Sequence, residues 1–430
     1  MINIIGNKKQ QLFAITLIVI LTWGCNQKQY TPQHNVVVAK ETKTNLLNPK
    51  FVTYNNTLDS TTIYYQLQTQ HILYTRRDKQ SPYQSKIEIS YKLYPYGNSK
   101  LVLDSSTQHI KDVVREKTNK TLIGNLRIAT KKDMDYLLVI TTKDINRGAL
   151  IVSKIYIDKT SSTNAQFFLL VNDSTQTPLF NSYVTNSDTL LLYSNVNKNN
   201  TVFLNLYQRN FKIAPPPFAS VSTKAFKHKP DSLIIGQINS KGEYQFAPPP
   251  NGFLHIQADT NKRDGLTLFR FNENYPYIKT AKGMIAPLRY ICSTAEYNAL
   301  LNSKNPKKSI DEFWLSKASS KERARNLIKQ YYRRVEKANL NFTSYVEGWK
   351  TDRGMISIVF GTPSTIRKTL NTETWVYGDE NNLIALNFMF TKRSNPFTDN
   401  DYKLERSTSY KSIWYRAVDT WRSGRVYYGY

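Results

Sequence analysis

The 430-residue chain is too long for one ordinary hydrophobic core and is expected to divide into about two to four domains. Hydrophobic residues at 40% and aromatics at 13% exclude a disordered polymer, and 29 Tyr against 16 Gly lean toward β structure. The formal net charge is +27, but the basic residues are scattered and no block of five or six like charges occurs, so composition alone marks no dedicated anion-binding tract.

The chain opens on a targeting pattern. Lys8 and Lys9 precede an apolar run from Leu12 to Leu21 that only Thr16 interrupts. The run is shorter than the roughly 20 residues that span a bilayer, and it ends in Gly24-Cys25, as a secretory signal ends at a small residue. Cys25 resembles the lipidated cysteine of bacterial lipoproteins, although Thr22 and Trp23 stand where the usual motif has an aliphatic and a small residue. Residues 1–24 are thus expected to be a lipoprotein signal peptide, and the polar stretch 25–45 a tether. With Cys25 carrying lipid, Cys292 has no disulfide partner; its setting in "LRYICSTAEY" predicts a buried, inert thiol.

Residues 46–160 are written in strands. "FVTYNN", "TIYYQLQ", "HILYTR", "SKIEISYKLYPY", "KLVLDSS", "GNLRIAT", "DYLLVITTKD" and "GALIVSKIYID" are rich in β-branched and aromatic residues and separated by Asn, Asp, Ser and Gly. In the fourth, Ile87, Ile89, Tyr91 and Leu93 are expected on one face. A second set over 164–280 repeats the pattern, so two β-sandwich domains are expected. Two triple prolines, 215–217 and 248–250, end strands of the second set and predict exposed, stiff polyproline segments at a sheet edge.

From 284 to 430 an α+β domain is expected, with helices packed on an antiparallel sheet. Ser293/Glu296, Ser309/Glu312 and Ser319/Glu322 have capping-box spacing. Ala324, Leu327, Ile328, Tyr331, Val335 and Ala338 recur at helical spacing, with Arg323, Lys329, Arg333 and Lys337 opposite. "MISIVFG", "ETWVYG", "LIALNFMFTK" and "YKLER" predict strands. Five of the six Trp fall in this region, a large packing payload.

The segment Glu347 to Pro363, "EGWKTDRGMISIVFGTP", carries a family likeness. Gly348-Trp349-Lys350-Thr351-Asp352 resembles the naming motif of the GWxTD-domain family of Gram-negative envelope proteins. Phe313-Trp314, Tyr331 to Phe342, Glu373 to Tyr377 and Ala417 to Val426 resemble the same family, so the likeness covers roughly 260–430. It implies an exported lipoprotein with N-terminal β-domains, and it brings no reaction. The order "FGTP", "TWVY", "LIALNFMF" also resembles the hairpin of the small lipoprotein component of the barrel-assembly machine.

Residue chemistry narrows the function. All five His precede residue 260, so a Ser-His-Asp or Cys-His arrangement within the C-terminal domain is excluded. Zinc spacing and phosphate-binding glycine patterns are absent, so no metal and no cofactor is expected. Glu347 and Asp352 flank Trp349, an arrangement a sugar-cleaving site uses. The alternative is structural: Asp352, Arg353 and Gly354 turn the chain, Arg353 pairs with Glu347 or Asp352, Trp349 plugs the core, and Met355–Phe360 form a central strand closed by Gly361 and Pro363. Trp375 and Tyr377 then bridge the following strands. The expectation is a non-enzymatic outer-membrane lipoprotein, an accessory or scaffold subunit of an envelope assembly, secretion or transport complex, with other envelope proteins as partners and no nucleic acid. A binding module for anionic envelope glycan or lipopolysaccharide, and a glycan-acting enzyme using Glu347 and Asp352, are the alternatives. "NQKQY" after Cys25 lacks acidic residues, which favours the periplasmic face over the cell surface.

Overall fold

The computed structural model describes residues 47–116, 119–209, 211–220, 229–369, 371–378 and 385–428. The expected leader 1–24, the expected lipid site Cys25 and the expected tether 25–45 lie outside the described residues.

Strands alternate in burial where the sequence alternates in polarity. β1 (Lys50–Tyr54), β2 (Ser60–Gln68) and β5 (Thr121–Ala129) form one antiparallel sheet. β3 (Tyr83–Pro95), β4 (Asp104–Val114), β6 (Asp135–Asp144) and β7 (Ala149–Asp158) form another, in the order β4-β3-β6-β7. Ile87, Ile89, Tyr91 and Leu93 of β3 meet Phe51, Ile63 and Ile128 of the facing sheet in one core. Two expected strands differ. "HILYTR" starts on the last residue of a 3-10 turn, Thr69–His71, and makes one isolated bridge, Thr75 to Gln84, because Asp144 and Asn146 take its backbone groups instead of a ladder. Leu101 to Leu103 stay outside β4 and exposed, and the strand begins at Asp104.

The second sandwich pairs β8 (Leu169–Asn172), β9 (Thr177–Pro178), β11 (Leu190–Tyr193) and β14 (Glu243–Phe246) in one sheet. Its partner sheet runs β10-β16-β15-β12-β13, from β10 (Tyr183–Val184), β12 (Thr201–Tyr207), β13 (Ser232–Gln237), β15 (Phe253–Gln257) and β16 (Leu266–Arg270). Leu170, Leu190 and Leu192 face Leu204, Leu254 and Ile256 across its core. Neither triple proline is an exposed segment. Pro217, Pro248 and Pro249 are buried. The first run straps the C-terminal module, with the Ser407 N–H on the Pro217 carbonyl and the Arg406 guanidinium on that of Pro215.

The C-terminal module has α1 (Ala281–Ile285), α2 (Thr294–Leu301), α3 (Pro306–Lys317), α4 (Lys321–Phe342), α5 (Asp352–Phe360) and α6 (Tyr410–Arg422). Its antiparallel sheet follows chain order from β17 (Thr365–Lys368) through β18 (Thr372–Tyr377) and β19 (Leu386–Lys392) to β20 (Tyr402–Leu404). Ser293 and Glu296 make the reciprocal capping box of α2. The other two caps are displaced. Asn305 caps α3 one turn before Ser309, letting Pro306 occupy the first turn, and Ser320 rather than Ser319 caps α4. α4 buries Ala324, Leu327, Tyr331, Val335 and Ala338 as its periodicity requires.

The main correction is α5: Met355–Phe360 is helix, not strand. Thr351 caps it, accepting from the Gly354 N–H at 3.0 Å, Asp352 sits in its first turn, and Gly361 ends it at φ +89°. The helix is buried almost all round, so its β-branched run carries no helical polarity stripe.

Candidate functional site

Two glycines set the geometry of the GWKTD segment. Gly348–Lys350 is a single 3-10 turn lying between α4 and α5. A β-carbon on Gly348 would stand 1.9 Å from the Ala338 carbonyl oxygen of α4, and one on Gly354 1.9 Å from the Gly348 carbonyl oxygen. Backbone therefore stacks on backbone across helix, turn and helix, which only glycine permits. Gly354 is helical in φ, so its role is close approach and not backbone freedom.

Polar side chains lock this stack. The Trp349 N–H donates to Asn339 Oδ1 at 3.1 Å, and Asn339 Nδ2 donates to the Pro276 carbonyl at 2.9 Å. Tyr290 Oη donates to the Trp349 carbonyl at 2.9 Å. The Gly348 N–H reaches Tyr275 Oη, which itself donates to the Asn339 carbonyl at 3.1 Å. Burial raises both tyrosine pKa values, so these hydroxyls remain donors. The Trp349 indole is buried edge-on to Tyr290, with Lys350 Nζ 5.5 Å over its ring. The Ala214 N–H, next to the first triple proline, donates to the Lys350 carbonyl at 2.9 Å.

The charged residues have partners other than those expected. Glu347 pairs with Lys350 at 2.7 Å. Asp352 accepts from the Leu404 N–H at 2.9 Å and from the Arg406 guanidinium, so it ties α5 to the end of β20. The turn bond expected of Asp352 is made by Thr351, whose hydroxyl also donates to the Gly348 carbonyl at 2.8 Å. Arg353 pairs with neither Glu347 nor Asp352. It is buried, 3.3 Å from Glu373 on β18, sandwiched between the rings of Phe342 and Tyr402, and donates to Asn400. Burial lowers the Arg353 pKa. Burial also pushes the Glu373 carboxyl up, but Arg353 and Lys368 outweigh it and hold Glu373 below the usual carboxylate range.

The remaining motif residues close the far end of α5. Tyr377 Oη donates to the Gly361 carbonyl at 2.8 Å, and Trp421 Nε1 to that of Val359 at 3.0 Å. Arg334 donates to the Ile358 and Val359 carbonyls, and burial pushes its guanidinium pKa down to about 10. Pro363 is half-buried just before β17, and Trp375 is buried against Phe342 and Phe390, donating to Glu373 at 3.2 Å. Asn339, Glu373, Arg406 and Arg334 escape sequence reasoning as partners of the motif because they come from other elements, although Arg334, Asn339 and Glu373 lie in the segments that carry the family likeness.

The structure thus gathers the motif into one buried node. Among the described residues, no group of three or more His, Cys, Asp or Glu side chains has the arrangement to hold a metal ion, and no helix is long and apolar enough to cross a membrane. Cys292 is buried and unpaired, its thiol pushed up to about 12 by burial. Residues 252–423 match the family model of the GWxTD domain, a span that begins on β15 and β16 of the second sandwich. No curated protein matches the chain.

Proposed function

This chain belongs to the GWxTD-domain family through residues 252–423, and from that premise we propose that it is an outer-membrane lipoprotein, anchored at Cys25 on the periplasmic face, that serves as a scaffold subunit of an envelope protein complex. The observation that carries this reading is β13. It ends its sheet among the described residues and exposes Leu233, Ile234 and Ile235, the last at 65%. Proteins blunt such edges with Lys, Pro or a bulge, and "SLIIGQ" has no Lys or Pro. An apolar strand with an open ladder edge suits the addition of an extended segment from another protein. The buried node around GWKTD supports the same reading. Glu347 and Asp352 are each held by a basic partner, which fits architecture better than a catalytic carboxylate pair.

The test is affinity purification of the lipidated chain from gently solubilised membranes, beside Ile235→Lys. The wild type should return a stoichiometric envelope partner, and the variant should lose it without a change in melting temperature. Return of the bait alone, or an unchanged partner with Ile235→Lys, overturns the reading.

A further inference from the structure

A cavity of about 380 Å³ lies where β1, the loops around β9 and β10, and the segment before α1 converge. Its volume falls in the range of small-molecule sites. The floor is apolar, with Val184 and Leu190 buried. The walls carry the amides of Asn172, Asn181 and Asn186, the Thr185 hydroxyl, and the rings of Tyr183 and Tyr277, the latter 51% exposed at the mouth.

Among the described residues, one cation lines it. Lys50, half-buried on β1, donates from Nζ to Asn181 Oδ1 at 2.8 Å across 131 residues of sequence. Among the described residues Lys50 forms no ion pair. The nearby carboxylate, Asp188, is occupied by the amides of Asn172 and Asn186. A partly desolvated ammonium with only a neutral acceptor is an incomplete arrangement, because burial penalises charge that no counter-charge offsets. Burial accordingly lowers the Lys50 pKa.

We propose that this cavity binds one carboxylated sugar unit, its carboxylate on Lys50, its hydroxyls on the Asn181 amide N–H groups, the Asn186 side-chain oxygen and the Thr185 hydroxyl, and its ring face on Tyr183 and Tyr277. A single ammonium matches the single charge of a carboxylate, whereas a phosphate dianion calls for more cationic partners than the walls supply. Amides and hydroxyls recognise sugar hydroxyls, and tyrosine rings cover the C–H face of a pyranose. The site gives residues to the anionic-glycan alternative that the sequence left open, and it is independent of the edge strand β13.

The experiment is isothermal titration of the intact, detergent-solubilised chain with D-galacturonate and D-glucuronate, against D-galactose and D-glucose. The result expected is binding of at least one acid, with its neutral counterpart about tenfold weaker or more. Lys50→Gln should abolish that preference with an unchanged melting temperature. Tyr277→Ala, at the exposed mouth, should weaken the acid while leaving the fold intact, and it keeps the test decisive if Lys50→Gln misfolds. Digalacturonate binding as well as the monomer assigns the end of a polymer; its exclusion assigns a free sugar acid; both support the site. Absence of binding of either acid up to about 10 mM, equal affinity for acid and neutral sugar, or unchanged affinity in both variants overturns it.

Discussion

Gly354→Ala separates helix propensity from packing, because the two give opposite signs. Inside a helix, Gly to Ala is ordinarily stabilising by about 1 kcal/mol. Here the new β-carbon would lie 1.9 Å from the Gly348 carbonyl oxygen and 2.8 Å from its carbon. A normal contact needs more than 3 Å, so α5 or the 3-10 turn must move by over 1 Å. Both are backbone, and Asn339, Tyr290 and Thr351 pin the turn. Overpacking costs about 1–3 kcal/mol, and a rigid backbone obstacle belongs at the upper end. After the propensity gain, a net loss of about 1–2 kcal/mol remains. Urea unfolding followed by tryptophan fluorescence reads this module, since all five Trp after Trp23 lie in it. A midpoint equal to or above wild type would refute the backbone-on-backbone stack.

Arg353→Met should cost about 3 kcal/mol, the low end for breaking a buried ion pair because Lys368, at 3.2 Å, and the Trp375 indole still face Glu373, and adding Glu373→Leu should recover much of the loss; a double-mutant cycle in urea measures the coupling. Acid should weaken the module. The Glu296 carboxyl is depressed by Arg422 first, despite burial, and by Lys317, and Glu373 is also net depressed. Both folded values lie below the unfolded value of about 4.3, so their stabilisation is full above that pH and fades as pH falls through the folded values. The melting temperature should hold between about pH 7 and 5 and drop below about pH 4, with a shallower acid limb in Glu296→Gln. Cys292, with its thiol raised to about 12, should ignore a disulfide reagent at pH 8 in the folded chain and react once unfolded, as a thiol titration shows.

Much of the architecture was legible because period-2 and period-3.6 patterns report one-sided burial. β3 follows its pattern residue by residue, and α4 buries five of its six expected apolar positions, Ile328 staying half-buried. α5 did not, since a helix surrounded by core loses its polar stripe, and Met355–Phe360 then reads like a buried strand. Its ends were legible in principle: Thr351-Asp352 is a cap followed by a first-turn acid, and Gly361 a terminator. The motif was visible as a unit, but its bonds were not. Arg353 meets Glu373 twenty residues away and Asp352 meets Arg406 fifty-four away, and no local pattern encodes such pairings. The cavity around Lys50 is equally silent in sequence, because it forms only where the two sandwiches and the helical module meet.

The central claim is that the GWKTD segment holds the module together from inside while β13 meets the partner. Hydrogen exchange on the free chain and on the membrane-purified complex tests this directly. The account expects new protection at Ser232–Gln237 on complex formation, with Glu347–Gly354 already protected and unchanged. New protection at 347–354 with none at 232–237 would contradict it.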